Sequence, residues 1–218
     1  MSKPLALLLV TLAGLCWAGS GLAAQHLFTH SDKTAIELTN IRMVTAGCIV
    51  LVLSFWLGSA QRSLRVMGRA PRLWLYVAIY GVLGIFVMQY SYFEGIAQGG
   101  AAAATVIQYT CPAMVICYEI CRYRRLPKFG EALAVIFAVL GIFLLVTEVD
   151  FTKLSVPFAC IFWSTVSGAS FAFASIYPRP FLKRLDPMFI LGMGMLMGGS
   201  VSFLAVEDLD WRPFFGSA

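Results

Sequence analysis

Residues Leu73 to Cys121 read LWLYVAIYGVLGIFVMQYSYFEGIAQGGAAAATVIQYTCPAMVICYEIC and carry charge only at Glu94 and Glu119. A bilayer takes about 20 apolar residues per helix, so the stretch is long enough for two spans. The spans fall at Leu73 to Ala97 and Ala101 to Cys121, and the uncharged Gln98-Gly99-Gly100 joins them. Working outward, the same pattern gives Leu5 to Leu27 and Ile36 to Leu57 before this pair. After it come Ala132 to Val146, Val156 to Ile176 and Met188 to Val206. The fifth span is short, and the flank from Lys128 to Glu131 completes it. The expected fold is an all-α polytopic membrane protein with seven transmembrane helices.

The connections alternate in charge. The first holds Lys33 against Asp32 and Glu37, and the second holds Arg62, Arg65, Arg69 and Arg72. The third is uncharged, and the fourth has Arg122, Arg124, Arg125 and Lys128. Lys153 faces Glu148 and Asp150 in the fifth, whereas the sixth has Arg179, Lys183 and Arg184. The tail is acidic again, with Glu207, Asp208 and Asp210 against Arg212. Cytoplasmic loops hold the Lys/Arg excess, so the even-numbered connections face the cytoplasm and Lys3 puts the N-terminus with them. The expected location is a multi-pass place in a bacterial-type inner (plasma) membrane.

Hydrophobic residues make up 60% of the chain and charged residues 12%, against about 45–50% and about 25% in soluble domains. The net charge of +5 sits in short loops beside spans, where it meets anionic headgroups. It is a topology signal, and no nucleic-acid partner is expected. The six cysteines, Cys16, Cys48, Cys111, Cys117, Cys121 and Cys160, lie inside or at the inner ends of spans, away from any outward loop that oxidation could staple. Ala18-Gly19-Ser20 could be read as a signal cleavage site, but the apolar run continues past it, which favours a retained first helix.

After the polar link Thr147 to Ser155 the pattern restarts. Trp17 with Gly19 and Ser20 in span one resembles Trp163 with Ser167 and Ser170 in span six. A five-helix unit begins its second copy on the opposite side of the membrane, which makes an inverted repeat of the kind many secondary transporters use. Residues 1–146 are the first five-helix unit, and residues 156–218 are two helices of the second with an outward tail.

Four stretches resemble the EamA-type permeases of the drug/metabolite transporter superfamily. They are Leu12-Ala13-Gly14-Leu15-Cys16-Trp17-Ala18-Gly19-Ser20, Asn40-Ile41-Arg42, Ala101 to Pro112, and Gly192-Met193-Gly194-Met195-Leu196-Met197-Gly198-Gly199. The resemblance implies ten helices in two inverted repeats around a central cavity open alternately to each side, moving small metabolites such as amino acids, sugars or nucleotide derivatives. The chain departs from that pattern in two places. Its second repeat has two helices, so that the chain is expected to be an incomplete permease, needing missing C-terminal helices or a second copy. Where members commonly carry an acid after span four, it reads Arg124-Arg125-Leu126, with Glu119 about a turn earlier.

Span four is the expected centre of a substrate site. Pro112 removes a backbone donor and disturbs the carbonyl of Gln108, and polar backbone at membrane depth is tolerated only inside protein or beside a water-filled cavity. Thr105, Gln108 and Pro112 share a helix face, with Tyr109 beside them. Trp17, Ser20, Tyr90, Trp163 and Ser167 lie at similar depth on spans one, three and six. The alternative is a packing kink healed by neighbours. Charge inside a membrane is functional by default, and Arg42 and Glu94, at equal depth on spans two and three, are expected to form an ion pair there or to snorkel separately. Gly194 and Gly198 form a GxxxG packing pair. His26 and His30, four apart, are read as interfacial and not as a metal site. Neither a nucleophile with a paired base nor a cofactor motif is present, so that neither an enzyme nor a cofactor is expected. The functional reading is a secondary transporter of a small metabolite by alternating access; the alternative is a non-transporting seven-helix receptor or assembly partner.

Overall fold

A computed structural model describes residues 3–147 and 155–203. Among these the fold is entirely helical: α1 (Lys3–His30), α2 (Ala35–Trp56), α3 (Ser59–Arg69), α4 (Arg72–Ile79), a π-helical segment (Tyr80–Phe86), α5 (Val87–Gln108), α6 (Cys111–Tyr123), α7 (Phe129–Thr147), α8 (Phe158–Ile176), a 3₁₀ turn (Phe181–Lys183) and α9 (Pro187–Ser202). Four helical stretches are long and apolar enough to cross a membrane: Pro4–His30, Ala35–Trp56, Arg72–Tyr123 and Phe158–Lys183. Phe129–Leu144 and Pro187–Ser202 are shorter apolar helices. The 52 residues of Arg72–Tyr123 are more than twice the about 20 that one span needs. The chain turns within them at Gly100, whose φ of 84° and ψ of 161° are open to a residue without Cβ. Lys153 and its acidic neighbours, the end of span seven and the acidic tail lie outside the described residues.

Local chemistry sets the helix starts. Thr34 and Glu37 form a reciprocal capping box at α2, satisfying two backbone donors at once. Asp186 caps α9, accepting from the Met188 and Phe189 amides at 3.0 and 3.1 Å, and Pro187 takes the first-turn place where its missing N–H costs nothing. The second connection, read from sequence as a basic loop, contains α3. Its Ala60, Ser63 and Met67 are buried and Arg62, Arg65 and Arg69 are exposed, an amphipathic pattern suited to the membrane surface.

Small residues control the packing, because in lipid close backbone approach replaces the hydrophobic drive. Gly95 and Gly99 on α5 lie against Ser164 and Cys160 on α8, while Gly168 on α8 lies against Gln108 and Thr110. On the other side α2 packs against α9, with Gly47 under Leu196 and Gly192 under Leu51. The Gly194 and Gly198 pair has its partner in the π segment: a methyl on Gly81 would collide with the Gly194 carbonyl, and one on Gly198 with that of Gly81. Asn40, fully buried on α2, donates to Ser202 Oγ at 2.5 Å and to the Gly199 carbonyl at 3.3 Å. By contrast α1 leaves much of its surface exposed, including Leu7, Val10 and Leu15, and touches the bundle chiefly through α5.

Candidate functional site

Two cavities share an aromatic wall. Trp17 of α1 and Phe171 of α8 stack with centroids 6.0 Å apart and planes at 9°. On one side is a cavity of about 330 Å³ whose lining includes Arg42, Tyr80, Gln89 and Met195. On the other, one of about 210 Å³ is lined by Ala13, Gly14, Gln108 and Tyr109 together with the same two rings. The π segment supplies Tyr80 and Ile85 to the larger cavity, and π turns recur at functional sites.

Arg42 is held without an acid. Its Nη1 donates to Ser20 Oγ at 3.1 Å, and its guanidinium carbon lies 5.9 Å from the Trp17 ring centroid and 5.4 Å from that of Phe93. Both distances are inside the about 6 Å reach of a cation–π contact. The structure does not bring Arg42 and Glu94 together: no such ion pair occurs among the described residues. Helix geometry is the reason. Successive residues turn about 100° around the axis, so with Phe93 facing Arg42, Glu94 points elsewhere and interacts with Tyr90, one turn back on its own helix.

Gln108 and Ser167 do meet. Gln108 Nε2 donates to Ser167 Oγ at 2.6 Å, and Ser167 Oγ donates to the Met88 carbonyl at 2.8 Å. This buried chain joins both halves of α5 to α8, so Gln108 has a structural partner as well as a place on the smaller cavity's wall. Thr105 Oγ1 donates to the Ala101 carbonyl at 2.6 Å and meets the Tyr92 hydroxyl at 2.8 Å. Span four breaks at Tyr109-Thr110, where α5 stops and α6 begins with Pro112 in its first turn. The broken helix read from Pro112 is therefore present. Pro112 itself is exposed. Tyr90 and Trp163 line neither cavity; they meet each other edge to face at 5.6 Å. Of the nine residues expected at one site, Trp17, Gln108 and Tyr109 share a wall and Ser20 and Ser167 support it. Thr105, Tyr90, Pro112 and Trp163 stand apart.

Sequence reading missed two contributors. Phe171 lies one residue beyond the Trp163, Ser167 and Ser170 stripe, so extending that stripe by one residue reaches it. Gln25 Oε1 accepts from the Ala101 amide at 2.8 Å and so caps the helical segment after Gly100, a contact across 76 positions with no local signal. Glu119, already noted beside Arg124-Arg125-Leu126, lines neither cavity and accepts from Arg179 Nη1 at 2.8 Å, while Arg125 grips Glu131 at 2.6 and 3.0 Å. The rings of His26 and His30 lie 4.1 Å apart, and no group of three potential metal ligands occurs among the described residues.

The sequence model of the EamA-like transporter family matches residues 4–147. The chain is 30% identical over 192 residues to a protein of Salmonella typhimurium (strain LT2) named "Uncharacterized inner membrane transporter YicL", across 88% of this chain and 63% of that relative. The chain thus spans less than two thirds of the relative's length. No solved structure matches.

Proposed function

The chain belongs to the EamA-like transporter family, and from that premise we propose that this multi-pass inner-membrane protein takes part in moving a small metabolite with an anionic group and an apolar body, by alternating access. The carrying observation is Arg42, a cation on the wall of a 330 Å³ cavity with ring faces beside it and no acidic partner among the described residues. A carboxylate or phosphate would complete the missing pair, and Trp17 and Phe171 would take the apolar portion. Charge-assisted contacts of this kind are roughly twice as strong as neutral ones.

Seven spans with the N-terminus in the cytoplasm, and units at residues 1–146 and 156–218 related by inversion, complete the proposal. Contact between α2 and α9 supports the inversion. In two inverted five-helix units, spans two and seven are counterparts, and their contact maps onto itself across the symmetry axis. The breaks at Gly100 and at Tyr109-Thr110 bracket a short helix held by Gln25 at one end and Ser167 at the other, a hinge suited to rocking.

Titration of the purified chain with matched anionic and neutral aromatic metabolites, followed by tryptophan fluorescence, tests the site. Quenching by the anionic member that is lost in Arg42→Gln supports it; equal response to both members overturns it. For orientation Ser63 is a poor probe because it is buried, whereas Arg65 and Asp32 are exposed. In a cysteine-free background, Arg65→Cys should label only from the cytoplasm and Asp32→Cys only from outside, and the reverse result overturns the topology.

A further inference from the structure

We propose that the cleft between the α2–α3 turn and the turn leading into α9 binds the phosphate headgroup of an anionic phospholipid. The cleft has a volume of about 400 Å³. Arg62 lies on one wall and Lys183 and Arg184 on the other. Among the described residues no acid pairs with any of the three. The lining contains one carboxylate, Asp186, which is already engaged by the Met188 and Phe189 amides. Three like charges thus line one polar opening that holds a single carboxylate, and none of the three is paired with it. Arg125 and Arg179, elsewhere on the protein, each have a carboxylate partner.

The walls are built rather than fortuitous. Gly58, at φ 75°, turns the chain from α2 into α3, and the Asp186 amide donates across the cleft to Ser63 Oγ at 3.0 Å. Ala60 and Met67 beneath α3 belong to one buried cluster with Leu185, Phe189 and Ile190. The cleft therefore joins the end of α2 to the start of α9 and fixes the spacing of its cations.

Its surroundings identify the ligand. Trp56, 83% exposed, and Leu57 stand where α2 ends and the amphipathic α3 begins, and Trp is enriched at the membrane–water interface. Leu57 and Leu182 are exposed apolar side chains on the rim. A lipid presents a phosphate and an acyl chain together at this depth, whereas a free phosphate offers nothing to the leucines. Basic pockets between helices on the cytoplasmic side are a recurring form of headgroup site. The inference rests on the proposed orientation only in assigning the leaflet.

Native mass spectrometry of the chain released from nanodiscs of mixed phosphatidylglycerol and phosphatidylcholine tests it, because both leaflets then carry anionic lipid and orientation does not enter. The wild type should retain phosphatidylglycerol preferentially. Each cation removed should weaken retention about fivefold, and Arg62→Gln/Lys183→Gln/Arg184→Gln together on the order of a hundredfold. Arg65→Gln/Arg69→Gln, on the same helix but outside the cleft, should leave retention unchanged. If the triple variant does not fold, Lys183→Gln and Arg184→Gln singly carry the same comparison, and Arg62→Lys/Arg184→Lys should retain lipid. Equal retention by wild type and cleft variants overturns the proposal, as does full displacement by soluble glycerol phosphate or indifference between the two lipids.

Discussion

Arg42 and Arg179 are each held by another helix, but by partners of different kinds. Arg179 reaches from the α8–α9 connection to the Glu119 carboxylate, which also lies 3.8 Å from Arg125. Arg42, on the wall of the larger cavity, is held by a hydroxyl and two ring faces. A carboxylate positions a cation and neutralises it; Ser20, Trp17 and Phe93 position Arg42 and leave its charge standing. The first arrangement ties helices together, and the second leaves a charge on a cavity wall, open to the proposed ligand.

The largest expected effect follows from that charge. Truncating one partner of a buried charge pair costs about 2–5 kcal/mol of binding, which is about thirtyfold or more in affinity. Arg42→Gln should therefore weaken binding of an anionic metabolite by at least that factor, while thermal stability holds or rises because a desolvated cation is removed. Unchanged affinity with a large loss of stability would make Arg42 a structural residue like Arg179 and collapse the distinction.

Gln108 lies between the two extremes, a neutral group shared by the cavity wall and the helix contact. Ser167→Ala leaves both Gln108 Nε2 and the Met88 carbonyl without that hydroxyl, whereas Gln108→Leu leaves Ser167 donating to Met88. An unsatisfied buried group costs about 1–3 kcal/mol, so thermal unfolding should show Ser167→Ala as the more destabilising change. The reverse order would place Gln108's main role elsewhere.

Much of this architecture was legible because lipid makes hydropathy decisive. The apolar runs at Leu5, Ile36, Leu73 and Val156 appear as long helices, and Pro112 announced the break before α6. The helical nature of residues 59–69 was not legible from the loop reading, because four arginines in a connection give a topology signal whether or not they lie on a helix. The Arg42–Glu94 pairing failed for a related reason: equal depth fixes position along the membrane normal but not the direction in which a helix presents a residue. Gln25 and Phe171 needed the tertiary arrangement, since their partners come from distant segments.

The smallest expected effect belongs to the connection pairs, and it tests the comparison through salt. Exposed ion pairs are worth about 0–1 kcal/mol, and charges in water are screened over about 8 Å at physiological ionic strength. Arg179→Gln leaves Glu119 with Arg125 nearby, while Glu119→Gln strips the acid from Arg179, with Arg125 still bound to Glu131. Glu119→Gln should therefore be the more destabilising of two small changes in thermal unfolding, and a double-mutant cycle should give a coupling that shrinks toward zero as salt rises. The affinity loss in Arg42→Gln should persist at the same salt concentrations, because Arg42 acts beside ring faces in a partly buried cavity where screening is weak. If salt erased the Arg42 effect as readily as the Glu119–Arg179 coupling, the two arginines would be solvated alike, and the cavity could not be reading a ligand's charge.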